Sequence, residues 1–273
     1  MATEATGVLM RDMLRDVGRF HTVLKSVHEL DTELVLPIVK ALLSPSDREQ
    51  CFIAAYYRTV ANVRTLLTFG DASHFQAIAM LARAMFELDV DVRLIAHDVD
   101  AIDKIYAFRD YERLRAARDV VALAGVGKTT DDVSIQKSFI AANETPIDAH
   151  CQKVWPKTKR PAHWSLMGLR DRAKGLGAPF EETYETMYAQ LSWDVHPGVA
   201  GVLNLDENAF PAKCGLAFKV AFDSYADLLR AVAQELRIDK GVEKLAEKIE
   251  VAIALPFTKN DAQKAALFST IAP

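Results

Sequence analysis

Apolar residues recur along this chain with a period near 3.6 and almost nowhere alternate, so the pattern predicts helices from end to end. Between Val8 and Leu30, Leu14, Val17, Leu24 and Val27 share a face with charges between them. A second helix through Leu34 and Leu42 carries Pro37 near its start, where proline is tolerated. Ser44-Pro45-Ser46-Asp47 combines a capping hydroxyl, a proline suited to a first turn and an acid favoured by the helix dipole. The run that follows to Leu67 ends at Gly70.

From Ser73 to His97 apolar residues cover most of the circumference, which predicts a central helix packed on more than one side. Steps of about 100° per residue gather Ile78, Leu81, Met85, Leu88 and Val92 on one broad face. They place Asp89 and Arg93 on a narrow wet strip. Arg83 and Glu87 fall beside Met80, Phe86, Val90 and Leu94 on a second apolar face, so both are expected to be at least partly buried.

Ile102 to Ala124 reads as an arginine-rich helix closed by Gly125, and Thr130 to about Asn143 as another. Glu144 to Pro161 holds three prolines and reads as a long surface connection and hinge. Helices resume over Ala162–Lys174 and Glu181–Val195, the latter stopped by Pro197, and again over Ala212–Leu236 and Val242–Ala254 before a tail from Pro256. The fold class is therefore all-α, a multi-helix bundle of roughly eight to ten helices with no substantial sheet. N-terminal helices (1–70), a helical core (73–205) and C-terminal helices with a tail (206–273) are expected to pack as one structural unit.

Composition narrows the function classes. With 33 basic and 37 acidic residues the formal charge is -4, which provides no cationic field for extensive nucleic-acid binding. RNA is thus not indicated by charge. Cys51, Cys151 and Cys214 are scattered and odd in number, without a C-x-x-C, so neither a disulfide framework nor a zinc knuckle is expected. The N-terminus lacks a signal-peptide core and no stretch reaches a membrane span, so a cytoplasmic protein with no membrane association is expected. No cofactor motif emerges.

Four words in the sequence invite chemistry and lack its full grammar. Gly125-Val-Gly-Lys-Thr129 resembles the end of a phosphate-binding loop, but Ala122 stands where the first glycine belongs and a helix precedes it. His97-Asp98, with His74 and Asp103 as further donors, would suit an HD-type metal phosphohydrolase. Arg15 and His21 have the spacing of an HEPN-type ribonuclease pair, in which arginine steadies the phosphate and histidine moves the proton. Inward Glu-x-x-His pairs, which a helical di-iron site needs, are missing from the sequence.

Two polar signatures in greasy helices are the better lead. Arg83 and Glu87 lie one turn apart, where a guanidinium can meet a carboxylate. Tyr184, Tyr188, Ser192 and His196 recur every fourth residue and form a stripe, and Pro197 ends that helix so that His196 sits among unpaired carbonyls. Ser192 and His196 make no hydrolase pair, because Asp194 projects to another face and no nucleophile elbow accompanies the serine.

The order Arg83-Ala-Met-Phe-Glu87, Tyr106-Ala-Phe-Arg-Asp-Tyr111, Trp164 opening a helix with Arg170, then Tyr184, Tyr188, Ser192 and His196-Pro197 resembles a widespread bacterial family catalogued as a domain of unknown function. The resemblance covers Ser73 to Val202 and implies an all-α fold without an assigned activity. By analogy such proteins are similar to the HEPN set of bacterial stress and phage-conflict systems. The sequence departs from that set, because no arginine precedes His196 by four to six residues.

Two functions from different classes remain open. In one, Arg83, Glu87, Trp164, Tyr184, Tyr188, Ser192 and His196 line a polar pocket for a small anionic ligand or a protein partner, in a regulatory or binding protein that could also form a homodimer. In the other, His196 and Arg83 are the catalytic pair of a metal-independent ribonuclease.

Overall fold

The computed structural model describes residues 17–127, 132–158, 161–195 and 209–238. It is all-α, with no strand among the described residues. The chain divides into two units, one built from residues up to Ala96 and from Arg172 onward, the other from His97–Asp171.

The first unit opens with α1 (Val17–Leu34), α2 (Leu36–Ala41) and α3 (Asp47–Leu66). Ser46 starts α3 with a full capping box: its hydroxyl accepts from the Glu49 N–H at 3.3 Å, and the Glu49 carboxylate accepts from the Ser46 N–H at 2.7 Å. Pro45 thus precedes the cap instead of sitting in the first turn. A short 3-10 turn (Ala72–His74) leads to α4 (Phe75–His97).

The returning chain adds α8 (Phe180–Thr183), a π-helical turn (Tyr184–Tyr188), α9 (Ala189–Val195) and α10 (Phe210–Leu236). The most enclosed helix is α10. Phe218, Phe222, Tyr225, Leu228, Leu229 and Val232 are all buried along it, each large apolar side chain contributing about 1.5–3 kcal/mol. Phe218 stacks on Phe20 of α1 with ring centroids 5.8 Å apart.

Arg48 ties three helices together. Its guanidinium donates to both Glu235 oxygens, at 2.6 and 3.1 Å, and to the Ile95 and Ala96 carbonyls at 2.8 and 3.3 Å. It satisfies carbonyls that the last turn of α4 leaves unpaired. That contact, with Arg172 donating to Asp91, holds α4 in register.

The second unit is dominated by the pair α5 (Ala101–Gly125) and α6 (Ser134–Val154). The connection expected from Glu144 to Pro161 is a correction: α6 runs through Pro146 to Val154. Arg118 on α5 donates to Glu144 at 2.6 Å and Asp148 at 3.3 Å, bracketing the proline, and His150 pairs with Asp103 at 2.9 Å. These cross-links offset the helix bond that proline removes. The helix expected from Ala162 is also shorter, since α7 spans Leu169–Leu176 and leads back into the first unit.

Candidate functional site

The first polar signature forms a relay between α4 and the π-helical turn. Arg83 Nη2 donates to the Tyr188 hydroxyl at 2.8 Å, and that hydroxyl donates to Glu87 Oε1 at 2.5 Å. Arg83 and Glu87 also pair directly at 3.9 Å, and the guanidinium lies 4.8 Å from the Tyr188 ring centroid. Burial and the carboxylate acceptor push the Tyr188 phenol up to about 12, with Arg83 opposing.

The π turn is what delivers Tyr188. The Ala189 N–H bonds back to the Tyr184 carbonyl, one residue further than an α-helix would reach. Tyr184 then stacks on Tyr188 at 5.2 Å, and Phe86 meets Tyr188 at 5.5 Å. Ser192 lies one turn on from Tyr188 and is half-buried. His196 and Pro197 lie outside the described residues.

Arg83 and Glu87 are partly buried, as the projection expects, beside the buried Phe86 and Val90, but the strip of Asp89 departs from it. The Arg83 side chain is 19% exposed and Glu87 44%, while Met80 on the same strip is 56% exposed. Asp89, expected to be wet, is only 2% exposed. The strip expected to face solvent faces the core.

Around Asp89 lies a second charged group that sequence reasoning missed. Arg93 Nε sits 3.8 Å from Asp89 Oδ1, and Arg93 Nη2 donates to the Asp227 carbonyl at 2.9 Å and lies 3.4 Å from its carboxylate. Arg230 donates to Asp227 at 3.0 Å, and Lys219 to Asp223 at 2.6 Å. Asp89 Oδ1 is buried with no hydrogen-bond partner among the described residues. Burial, with Asp227 and Asp223 nearby, drives the Asp89 carboxyl well above the ordinary range, against the pull of Arg93.

These acids line a cavity of about 320 Å³ within the first unit. Phe86 and Asp89 form the α4 wall, Pro179, Phe180 and Thr183 the second, and Asp223, Ser224, Ala226, Asp227 and Arg230 of α10 the third. A signal for this existed in the sequence. Asp223 and Asp227 are spaced one turn apart inside a largely apolar helix, as Arg83 and Glu87 are.

Residues 50–209 match the model of a family of unknown function, DUF5677. The chain belongs to that family. The DUF5677 segment begins inside α3, earlier than the resemblance from Ser73 suggested, and ends just before α10. The relay residues and Asp89 therefore fall inside it, whereas Asp223, Asp227 and Arg230 fall outside. No curated protein and no solved structure matches the chain.

Trp164 belongs to the second unit, where it is buried in a turn against His163 and opens no helix. Gly125 is the last residue of α5, and Gly127 at φ 68 makes the left-handed stop, so this stretch reads as a helix terminus, with Lys128 and Thr129 outside the described residues. His21 bonds the Leu67 carbonyl at 2.7 Å, and Arg15 lies outside the described residues. Asp98 accepts from Lys104 at 2.6 Å, and no group of His, Cys, Asp and Glu able to hold a metal occurs among the described residues. No described helix is long and apolar enough to cross a membrane.

Proposed function

We propose that this chain is a small-molecule binding protein with a regulatory role, its ligand entering the polar cavity between α4, the 180–195 helix and α10. The observation that carries this reading is Asp89, a residue of the cavity lining that has one carboxyl oxygen buried without a hydrogen-bond donor among the described residues. A buried acceptor left without a donor costs about 1–3 kcal/mol, more when charged, a cost a ligand donor would remove. Size supports it, since about 320 Å³ lies at the lower end of small-ligand sites.

Arg83, Tyr188 and Glu87 brace this cavity from behind. Phe86 lines the cavity and also meets Tyr188, and Phe180 lies 6.5 Å from Phe86. The relay fixes the helix that carries Phe180 and Thr183. Tyr184 and Ser192 lie on the same helical run, so an anionic ligand or a partner peptide at the relay is a competing occupant.

A thermal-shift screen of small metabolites of either charge tests the reading, run beside Thr183→Trp, which fills the cavity. Stabilisation of the parent chain that Thr183→Trp abolishes is the expected result. Stabilisation unaffected by Thr183→Trp would contradict it. So would cleavage of labelled RNA that His196→Ala removes, which would instead establish the ribonuclease reading.

A further inference from the structure

We infer that the cavity accepts a small organic cation, a primary ammonium on a short hydrocarbon, with Asp89 as its charge partner; this rests on the cavity being the ligand site. Its lining carries three carboxylates, from Asp89, Asp223 and Asp227, against one cation, Arg230. Thr183 and Ser224 add hydroxyls that also accept. Asp223 and Asp227 are held by Lys219, Arg93 and Arg230, which leaves Asp89 as the acid of the lining without a hydrogen-bonded cation among the described residues.

An acidic group alone would be an ordinary surface feature. Here one acid of the lining is 2% exposed, and its Oδ1 is buried without a hydrogen-bond partner among the described residues. Arg93 Nε stands 3.8 Å from it, beyond hydrogen-bond length, while Arg93 Nη2 is committed to Asp227. An ammonium brings three donors and no acceptor, which matches what the wall lacks. Phe86 and Phe180 supply apolar faces for the hydrocarbon and π-faces for the charge.

The site also carries a pH signature. The charged groups facing Asp89 are Arg93 from its own helix and Asp223, Asp227 and Arg230 from α10; the third wall contributes Thr183 and no ionisable lining residue. Burial and the two neighbouring acids make Asp89 hold its proton in the empty cavity to higher pH than an ordinary carboxyl. A cation binds the deprotonated form, so binding expels a proton. Affinity then weakens by about tenfold for each pH unit below the Asp89 titration point. Two of these acids lie on α10, so charge selectivity draws on residues beyond the family segment.

Calorimetric titration with n-butylammonium, n-butanol and butyrate, which share one hydrocarbon and differ in charge, tests the proposal. The expected result is binding of n-butylammonium alone, with proton release seen as a dependence on buffer ionisation heat. Asp89→Asn and, independently, Asp227→Asn should weaken it, the former by about thirtyfold or more. Binding of n-butanol or butyrate as tight as that of n-butylammonium, and lost in Thr183→Trp, would overturn the cation while leaving the cavity as a site. No binding of any of the three up to about 10 mM would overturn both. Because the three probes are compared on the parent chain, the outcome does not depend on a variant folding.

Discussion

Arg83–Glu87 and Asp89–Arg93 are both arginine–carboxylate pairs one turn apart on α4, yet they differ in what surrounds them. The first is half-exposed and linked by a hydroxyl: Tyr188 accepts from Arg83 and donates to Glu87, so the carboxylate has a donor although Arg83 Nε has no partner among the described residues. The second is buried, its carboxylate crowded by Asp223 and Asp227 and left with an oxygen that no described donor reaches. A carboxylate with a donor locks helices, whereas a buried carboxylate without one in a cavity lining marks a place for a ligand donor.

Breaking the buried pair should have the largest effect. Arg93→Ala leaves Asp89 with acids as its nearest charges and removes the bond to the Asp227 carbonyl; because Asp89 then takes its proton, the cost in urea unfolding at neutral pH should be about 2–3 kcal/mol. A loss under about 1 kcal/mol would mean the two pairs are equivalent. Glu87→Ala, at a half-exposed position, should cost only about 1–1.5 kcal/mol.

Tyr188→Phe should cost about 1 kcal/mol and remove one late phenolate from the near-ultraviolet absorbance titration. The sign follows from a folded value near 12, above the ordinary 10: the contribution is complete below pH 10 and is lost as pH rises through 12. An unchanged titration curve would place the hydroxyl in solvent.

Asp89→Asn should have the smallest effect, and with the opposite sign. The raised folded value means that native Asp89 favours its protonated form. Its contribution is full below the ordinary carboxyl value of 3.8 and falls as pH rises through the raised one. Asparagine mimics the protonated form, so the variant should gain on the order of 1 kcal/mol at pH 8 and nothing at pH 4. A variant less stable at pH 8 than at pH 4, relative to the parent, would reverse the assignment.

The helices themselves were legible because 3.6-residue periodicity and caps are local. Ser46 with Glu49, the stop of α5 and the reach of α10 follow from neighbours in sequence. The partial burial of Arg83 and Glu87 was legible, but the deeper burial of Asp89 was not. That helix is apolar on nearly all sides, so its own pattern cannot say which polar strip a distant helix will cover. The covering helix is α10, more than a hundred residues later, and it lies over Asp89 and not over Met80. Pro146 misled for a similar reason: the ion pairs that hold α6 helical come from α5. The π turn, which brings Tyr188 to Glu87, leaves no mark in the spacing, because four residues bring side chains to nearly the same side in either helix.

The division of labour between the two clusters meets its most direct test when n-butylammonium is titrated calorimetrically into Asp89→Asn and Glu87→Gln side by side with the parent chain. Glu87→Gln is expected to bind as the parent does, and Asp89→Asn to lose binding. The reverse, binding retained in Asp89→Asn and lost in Glu87→Gln, would make the relay the site and the buried acid the lock.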